Sequence, residues 1–166
     1  MDSGGGYLNE IDSNVDNITS IQQEHIEERH IDKIDEAYVN ITRKFRKRAE
    51  KVGGYESLPE LWQDFAPVIL GTIHLKSPIQ RLLNYTGDFH EFCDAFKEDT
   101  DLQEYKEYFD AMDFAWCRVL KDKNPTKTDK VRIVNILRDG QDRAANLGLQ
   151  EVYPHATDIA DDDFDE

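Results

Sequence analysis

The chain has 166 residues, of which 39% are hydrophobic and 33% charged, and its formal net charge is −15 at pH 7. That length suits one domain that can bury a core without disulfides or metal, and the composition lies on the polar side of globular. No apolar run is long enough to cross a bilayer, residues 1–6 have neither region of a signal peptide, and two cysteines make no disulfide framework, so a soluble, intracellular protein is expected.

The charge is segregated. Residues 1–36 carry ten acidic and two basic side chains, whereas 37–53 carry six basic and one acidic. The stretch 98–113 is acidic by seven to one, 114–150 is basic by eight to four, and 151–166 has seven acids and no base. Alternating blocks of this kind suggest electrostatic pairing within the molecule or between copies of it.

In chain order, 1–17 reads as a flexible acidic segment, although Leu8, Ile11, Val15 and Ile18 already alternate steps of three and four. After a shift of phase, Ile31, Ile34, Tyr38, Ile41, Phe45 and Val52 resume that pattern. Between the two runs Gln22, His25 and Arg29 occupy the expected seam, so either the seam rotates or the helix breaks near 25–30. A long amphipathic, coiled-coil-like helix over 18–52 is predicted, ended by Gly53 and Gly54. Its seam, Ile31, Ile34, Tyr38, Ile41 and Phe45, either packs on the core of the same chain or binds a protein partner or a second copy.

Arg43, Lys44, Arg46, Lys47, Arg48 and Lys51 cluster on the last turns of this helix. Cations there are favoured by the helix dipole, and they also offer a contact for nucleic acid or another anionic surface. No aromatic ladder or nucleic-acid module stands beside them.

The stretch 57–96 holds the densest apolar content and is the predicted centre of the fold. Ser57 with Glu60 reads as a capping box, with Pro59 in the first turn, and Leu58, Leu61, Trp62, Phe65, Ile69 and Ile73 advance along one helical face. Pro67 is expected to kink or briefly break that helix, and 68–75 can be read as helix or buried strand, helix being preferred. Ser77-Pro78 opens the next helix, and Gly87-Asp88 with Glu91 looks like one helix end and a further cap.

Asp101 with Glu104 caps a helix whose Tyr105, Tyr108, Phe109, Met112 and Trp116 form a core stripe. Asn124-Pro125 ends it. Thr126 or Thr128 opens the last helix, through Val131, Ile133, Val134, Ile136, Leu137, Ala144 and Leu147 to Gly148. The tail, 151–166, is expected to be disordered and solvated, or to dock on a basic surface through Phe164, the one aromatic residue of 157–166.

Catalytic signatures are sparse. The five histidines are scattered, Glu27 and His30 match a di-iron unit only once, and no phosphate loop, dinucleotide fingerprint or nucleophile elbow is present. His90 with Glu91 and Asp94, beside Asp88 and Cys93, is the one further cluster with acid–base or metal-binding chemistry. Both Cys93 and Cys117 read as buried free thiols. These observations predict an all-α bundle of about five or six helices over 18–150, with 57–150 supplying the core helices. The functional expectation is a non-enzymatic adaptor or assembly subunit that needs no cofactor or metal. Two alternatives stand beside it: a nucleic-acid-associated regulator, which binds through the basic cluster or mimics nucleic acid with its acids, and a metal-dependent enzyme with a site assembled from separate helices.

Overall fold

The computed structural model describes residues 2–50 and 52–162, with side chains described for 19–50 and 52–161. Six α-helices follow one another among the described residues: α1 Asp2–Arg46, α2 Leu58–Ile73, α3 Ile79–Ala95, α4 Leu102–Asp122, α5 Lys127–Asn146 and α6 Pro154–Asp162. A 3-10 turn, Lys47–Ala49, closes α1, and no strand occurs among the described residues. The all-α expectation is met, and 68–75 is helical as far as Ile73.

Helix starts follow local chemistry. The Ser57 Oγ accepts from Glu60 N at 3.3 Å, and the Glu60 carboxylate reaches back to Glu56 N at 3.1 Å. Asp101 and Glu104 complete a reciprocal box at 2.8 and 3.3 Å, and Thr126 caps α5 by accepting from Asp129 N at 3.1 Å. Such caps satisfy donors that the first turn leaves orphaned. At the end of α5, Gly148 takes a positive φ of 94°, while Leu149 N donates to Ala144 O at 2.9 Å and Gly148 N to Ala145 O at 3.1 Å. That is a Schellman closure, and it turns the chain back towards α6.

The core lies where α2, α3 and α4 meet, with α5 and α6 closing the far side and α1 laid along α2. Phe65, Phe89, Tyr105, Phe109, Met112 and Trp116 are buried to within 1% of complete. Their rings interlock: Phe89 and Phe109 centroids stand 5.0 Å apart edge to face, and Trp62 stacks on Tyr108 at 4.6 Å. Several polar groups in this core are paired. The Trp116 indole donates to Thr86 Oγ1 at 3.0 Å, Thr86 donates to Leu82 O at 2.6 Å, and Tyr105 donates to Cys93 O at 2.8 Å.

Several expectations are corrected. The helix expected over 18–52 ends at Arg46, and Val52 is 84% exposed, off the seam. Helix α2 runs through Pro67 without a break, because Phe65, Val68, Ile69, Thr72 and Ile73 are buried on both sides of it and hold the turn despite one lost hydrogen bond. Gly87-Asp88 is neither an end nor a cap. The buried face of α3 continues from Leu82 through Tyr85, Thr86, Phe89, Phe92 and Cys93, and that burial outweighs the roughly 1 kcal/mol that a helical glycine costs. Cys93 is buried as expected, but Cys117 is only half-buried.

The tail is the largest correction. Val152, Tyr153, Ala156 and Ala160 are all buried, and α6 packs against α4 and α5. Small residues at 156 and 160 let this short helix approach closely, and Tyr153 fills the interior, so the segment from Val152 to Ala160 packs as part of the core. Residues 163–166, including Phe164, lie outside the described residues, as do Lys51 and the side chains of the segment 1–17 expected to be flexible.

Candidate functional site

Among the described side chains, α1 has an exposed stretch followed by a packed one. From Thr19 to Ile26 every described residue is exposed, including Ile21 at 54% and Ile26 at 44%. Glu27 is anchored to the bundle, its carboxylate accepting from Lys76 N at 2.6 Å. Beyond it the predicted seam turns inward. Ile34 and Ile41 are buried, and Ile31, Tyr38 and Phe45 are partly buried against the core. The Tyr38 ring lies 4.3 Å from Tyr85, and Phe45 packs on Phe92 and Phe96. Ile34 seats over Gly71 of α2, where an added Cβ would meet its Cδ1 at 3.3 Å. Asp35 pairs with Arg81 at 3.3 Å on the rim. The helix does not break at 25–30, so of the two readings the seam rotates. The residues predicted to bind a partner are spent on the protein's own bundle.

The basic cluster is only partly free. Lys44 pairs with Glu60 at 3.0 Å and lies 4.6 Å over the Tyr55 ring, while the Arg48 guanidinium sits 3.8 Å over Phe45 and donates to its carbonyl. Arg43, Arg46 and Lys47 are exposed and make no ion pair among the described residues. The remaining free cations stand near the C-terminal end of α1, which favours positive charge.

His90 is wholly buried, and its partners come from elsewhere in the chain. Tyr153 Oη lies 2.7 Å from Nε2, and Asp139 Oδ2 lies 3.3 Å from Nδ1 without forming a well-directed hydrogen bond. Arg143 bridges Asp139 at 3.2 Å and Asp94 at 3.1 Å, so His90 and Asp94 are joined through α5. Glu91 is exposed and takes no part. Burial depresses the imidazole to about 4, against the opposing pull of Asp139, so His90 is neutral near pH 7. Burial also pushes the Tyr153 phenol well up. The phenol therefore keeps its proton, and its hydroxyl pairs with Nε2 in the sense that the imidazole tautomer sets. Gly140 completes the arrangement, since a Cβ there would collide with the His90 and Tyr153 rings. With 0% of the imidazole exposed, the ring is closed off from solvent, and the network ties together α3, α5 and the start of α6.

A cleft of about 660 Å³ opens between α4 and α6, lined by Phe114, Cys117, Arg118, Lys121, His155, Ile159 and three aspartates. Asp113 is its fixed point. One carboxylate oxygen lies 2.8 Å from His155 Nδ1, and the other accepts from Ala156 N at 2.8 Å, capping the N-terminus of α6 from another helix. Burial, and then the Asp113 charge, raise the Cys117 thiol to about 11, so it carries no thiolate at neutral pH. Among the described residues no group of three or more His, Cys, Asp or Glu is placed to hold a metal ion, and no helix is long and apolar enough to cross a membrane.

Sequence reading missed Asp113, Asp139, Gly140, Arg143 and Tyr153. Only Gly140 left a mark, as an isolated glycine inside a helical pattern, which signals close approach. Comparison with protein-family models, with curated proteins and with solved structures finds no match to this chain.

Proposed function

We propose that this chain is a non-enzymatic helical interaction protein that engages a protein partner through the part of α1 that stands clear of the bundle. The carrying observation is that residues 20–26 are helical and each exposed, with Ile21 and Ile26 held in water. An isolated helix is marginal in water, and its stability in proteins comes mainly from packing an apolar face. A second surface laid on these turns supplies that packing. Glu24, with Glu28 and Asp32 exposed on the turns that follow, restricts which surfaces can approach.

A photo-crosslinking residue at Ile26, compared with one at Leu70 on the exposed face of α2, tests this in extract of the source cells. Discrete adducts at position 26 and none at 70 support the reading. Equal, diffuse labelling at both positions refutes it. The free cations Arg43, Arg46 and Lys47 support a nucleic-acid contact more weakly, because Lys44 and Arg48 are already engaged within the chain.

A further inference from the structure

The proposed role of α1 makes no use of the cleft between α4 and α6, since among the described residues α1 packs against neither helix. At about 660 Å³ the cleft has the size of a site for a small ligand. Its middle is apolar: Phe114 presents a ring that is 59% exposed, and the partly buried Ile159 stands on the α6 side.

The α4 wall is polarised along its length. Asp110, Phe114 and Arg118 follow one another at intervals of four, with Lys121 a turn further on, so the wall passes from an acid through an aromatic ring to two cations. From Asp110 to Arg118 is eight residues, about 12 Å along the axis. Helix α6 advances in the same direction as α4, because the Tyr153 ring meets Phe109 at 5.6 Å and Ala156 N meets Asp113 at 2.8 Å. That order sets His155 and Asp158, both exposed, between the two ends of the cleft. The Nδ1 atom of His155 is taken by Asp113 at 2.8 Å, which leaves Nε2 for a ligand. Arg118 also meets Asp122 at 3.4 Å, but an exposed pair of this kind is weak and does not fix the guanidinium.

This lining selects a ligand that carries both signs of charge. A simple cation meets Arg118 and Lys121, and a simple anion meets the aspartates. Full complementarity needs an ammonium beside Asp110, a carboxylate beside Arg118 and Lys121, an apolar body on Phe114 and Ile159, and polar backbone groups facing His155 and Asp158. A tripeptide with free ends has all of these. Extended, it spans at most about 10 Å, and the long cationic side chains cover the remaining distance. A segment inside a protein chain has neither terminal charge, and a chain terminus has only one.

We infer that the cleft between α4 and α6 is a binding site for a short apolar peptide with both termini free. The test titrates the full, isotope-labelled chain with trileucine and follows the backbone amide resonances. Saturable shifts are expected at 110–121 and 155–159. Acetylating the amine or amidating the carboxylate removes one charge, and each change is expected to weaken binding at least about tenfold, the worth of one charged hydrogen bond. Asp110→Asn should weaken trileucine and leave N-acetyl-trileucine as it was, whereas Arg118→Gln with Lys121→Gln should weaken trileucine and leave the amide as it was. The substituted side chains are exposed, so the melting temperature should hold. Shifts that do not saturate, or that gather outside the cleft, overturn the site. Blocked peptides that bind as well as the free one overturn recognition of both ends, as does a loss on blocking one end only. None of these outcomes bears on crosslinking at Ile26, so failure here leaves the role of α1 standing.

Discussion

Acidification should destabilise this fold through His90, by an amount the buried network sets. An unfolded histidine takes up its proton near pH 6.5, whereas the folded protein holds His90 at about 4, chiefly because the ring is buried. Between those values the unfolded chain binds the extra proton, so stability is complete above about 6.5 and declines as pH falls to about 4. A shift of two and a half pH units corresponds to about 3 kcal/mol. Asp88 opposes this. Its carboxyl is raised to about 6 by burial and then by Glu91, so the folded state holds the proton there, and stability declines as pH rises through that window. Wild-type protein therefore shows a shallow net dependence. Asp88→Asn should steepen the acid-side loss, and His90→Gln, which carries no charge in this range, should flatten or invert it. Urea unfolding at steps between about pH 4 and 7 gives the slopes, and ring proton shifts follow His90 directly. If the His90 ring titrates near 6.5, or if His90→Gln leaves the slope as it was, the buried neutral imidazole is a wrong description.

Removing Thr157–Glu166 takes away Ala160, half-buried Ile159 and the second half of α6, so a loss of at least about 2 kcal/mol is expected in urea unfolding, not the unchanged stability of a solvated tail. Gly140→Ala should lose about 1–3 kcal/mol by driving a methyl into the His90 and Tyr153 rings, and unaltered stability would show that the helices can move apart there. The Tyr38 hydroxyl is buried without a hydrogen-bond partner, so Tyr38→Phe should be neutral or raise stability by about 1 kcal/mol, read from the melting temperature. Ile34→Asp and Ile41→Asp should abolish the cooperative transition, because both side chains are core, and a folded double variant would remove α1 from the bundle.

What the sequence discloses here is what is decided within a few residues. Ser57 with Glu60, Asp101 with Glu104, and Thr126 are visible because a cap and its donor lie within one turn. The periodic stripe of α1 is equally visible, but spacing alone does not say whether Ile34 and Ile41 meet another chain or α2, since both surfaces are apolar. Gly87 misleads because a glycine flanked by polar residues looks like an interruption, while the buried face of α3 passes through it unbroken. The tail misleads in the opposite direction. Its acids dominate the average, and the few residues that matter, Tyr153, Ala156 and Ala160, are small or isolated. The His90 network is illegible for a geometric reason: its partners stand about 50 and 63 positions away, on α5 and at the start of α6. The adjacent Glu91, which looks like a partner in the sequence, points to solvent.

The cap that Asp113 provides to α6 has a kinetic consequence. A nine-residue helix is too short to persist by itself, and the acceptor for its first turn is held by α4. The helix therefore cannot form ahead of α4, and it need not survive as long as α4 does. Transient release of α6 would uncover the His90 ring face that Tyr153 covers, without disturbing α2, α3 or α4. The amides of 156–160 are thus expected to exchange with solvent through a partial opening of lower free energy than global unfolding, and Asp113→Asn should speed that exchange selectively.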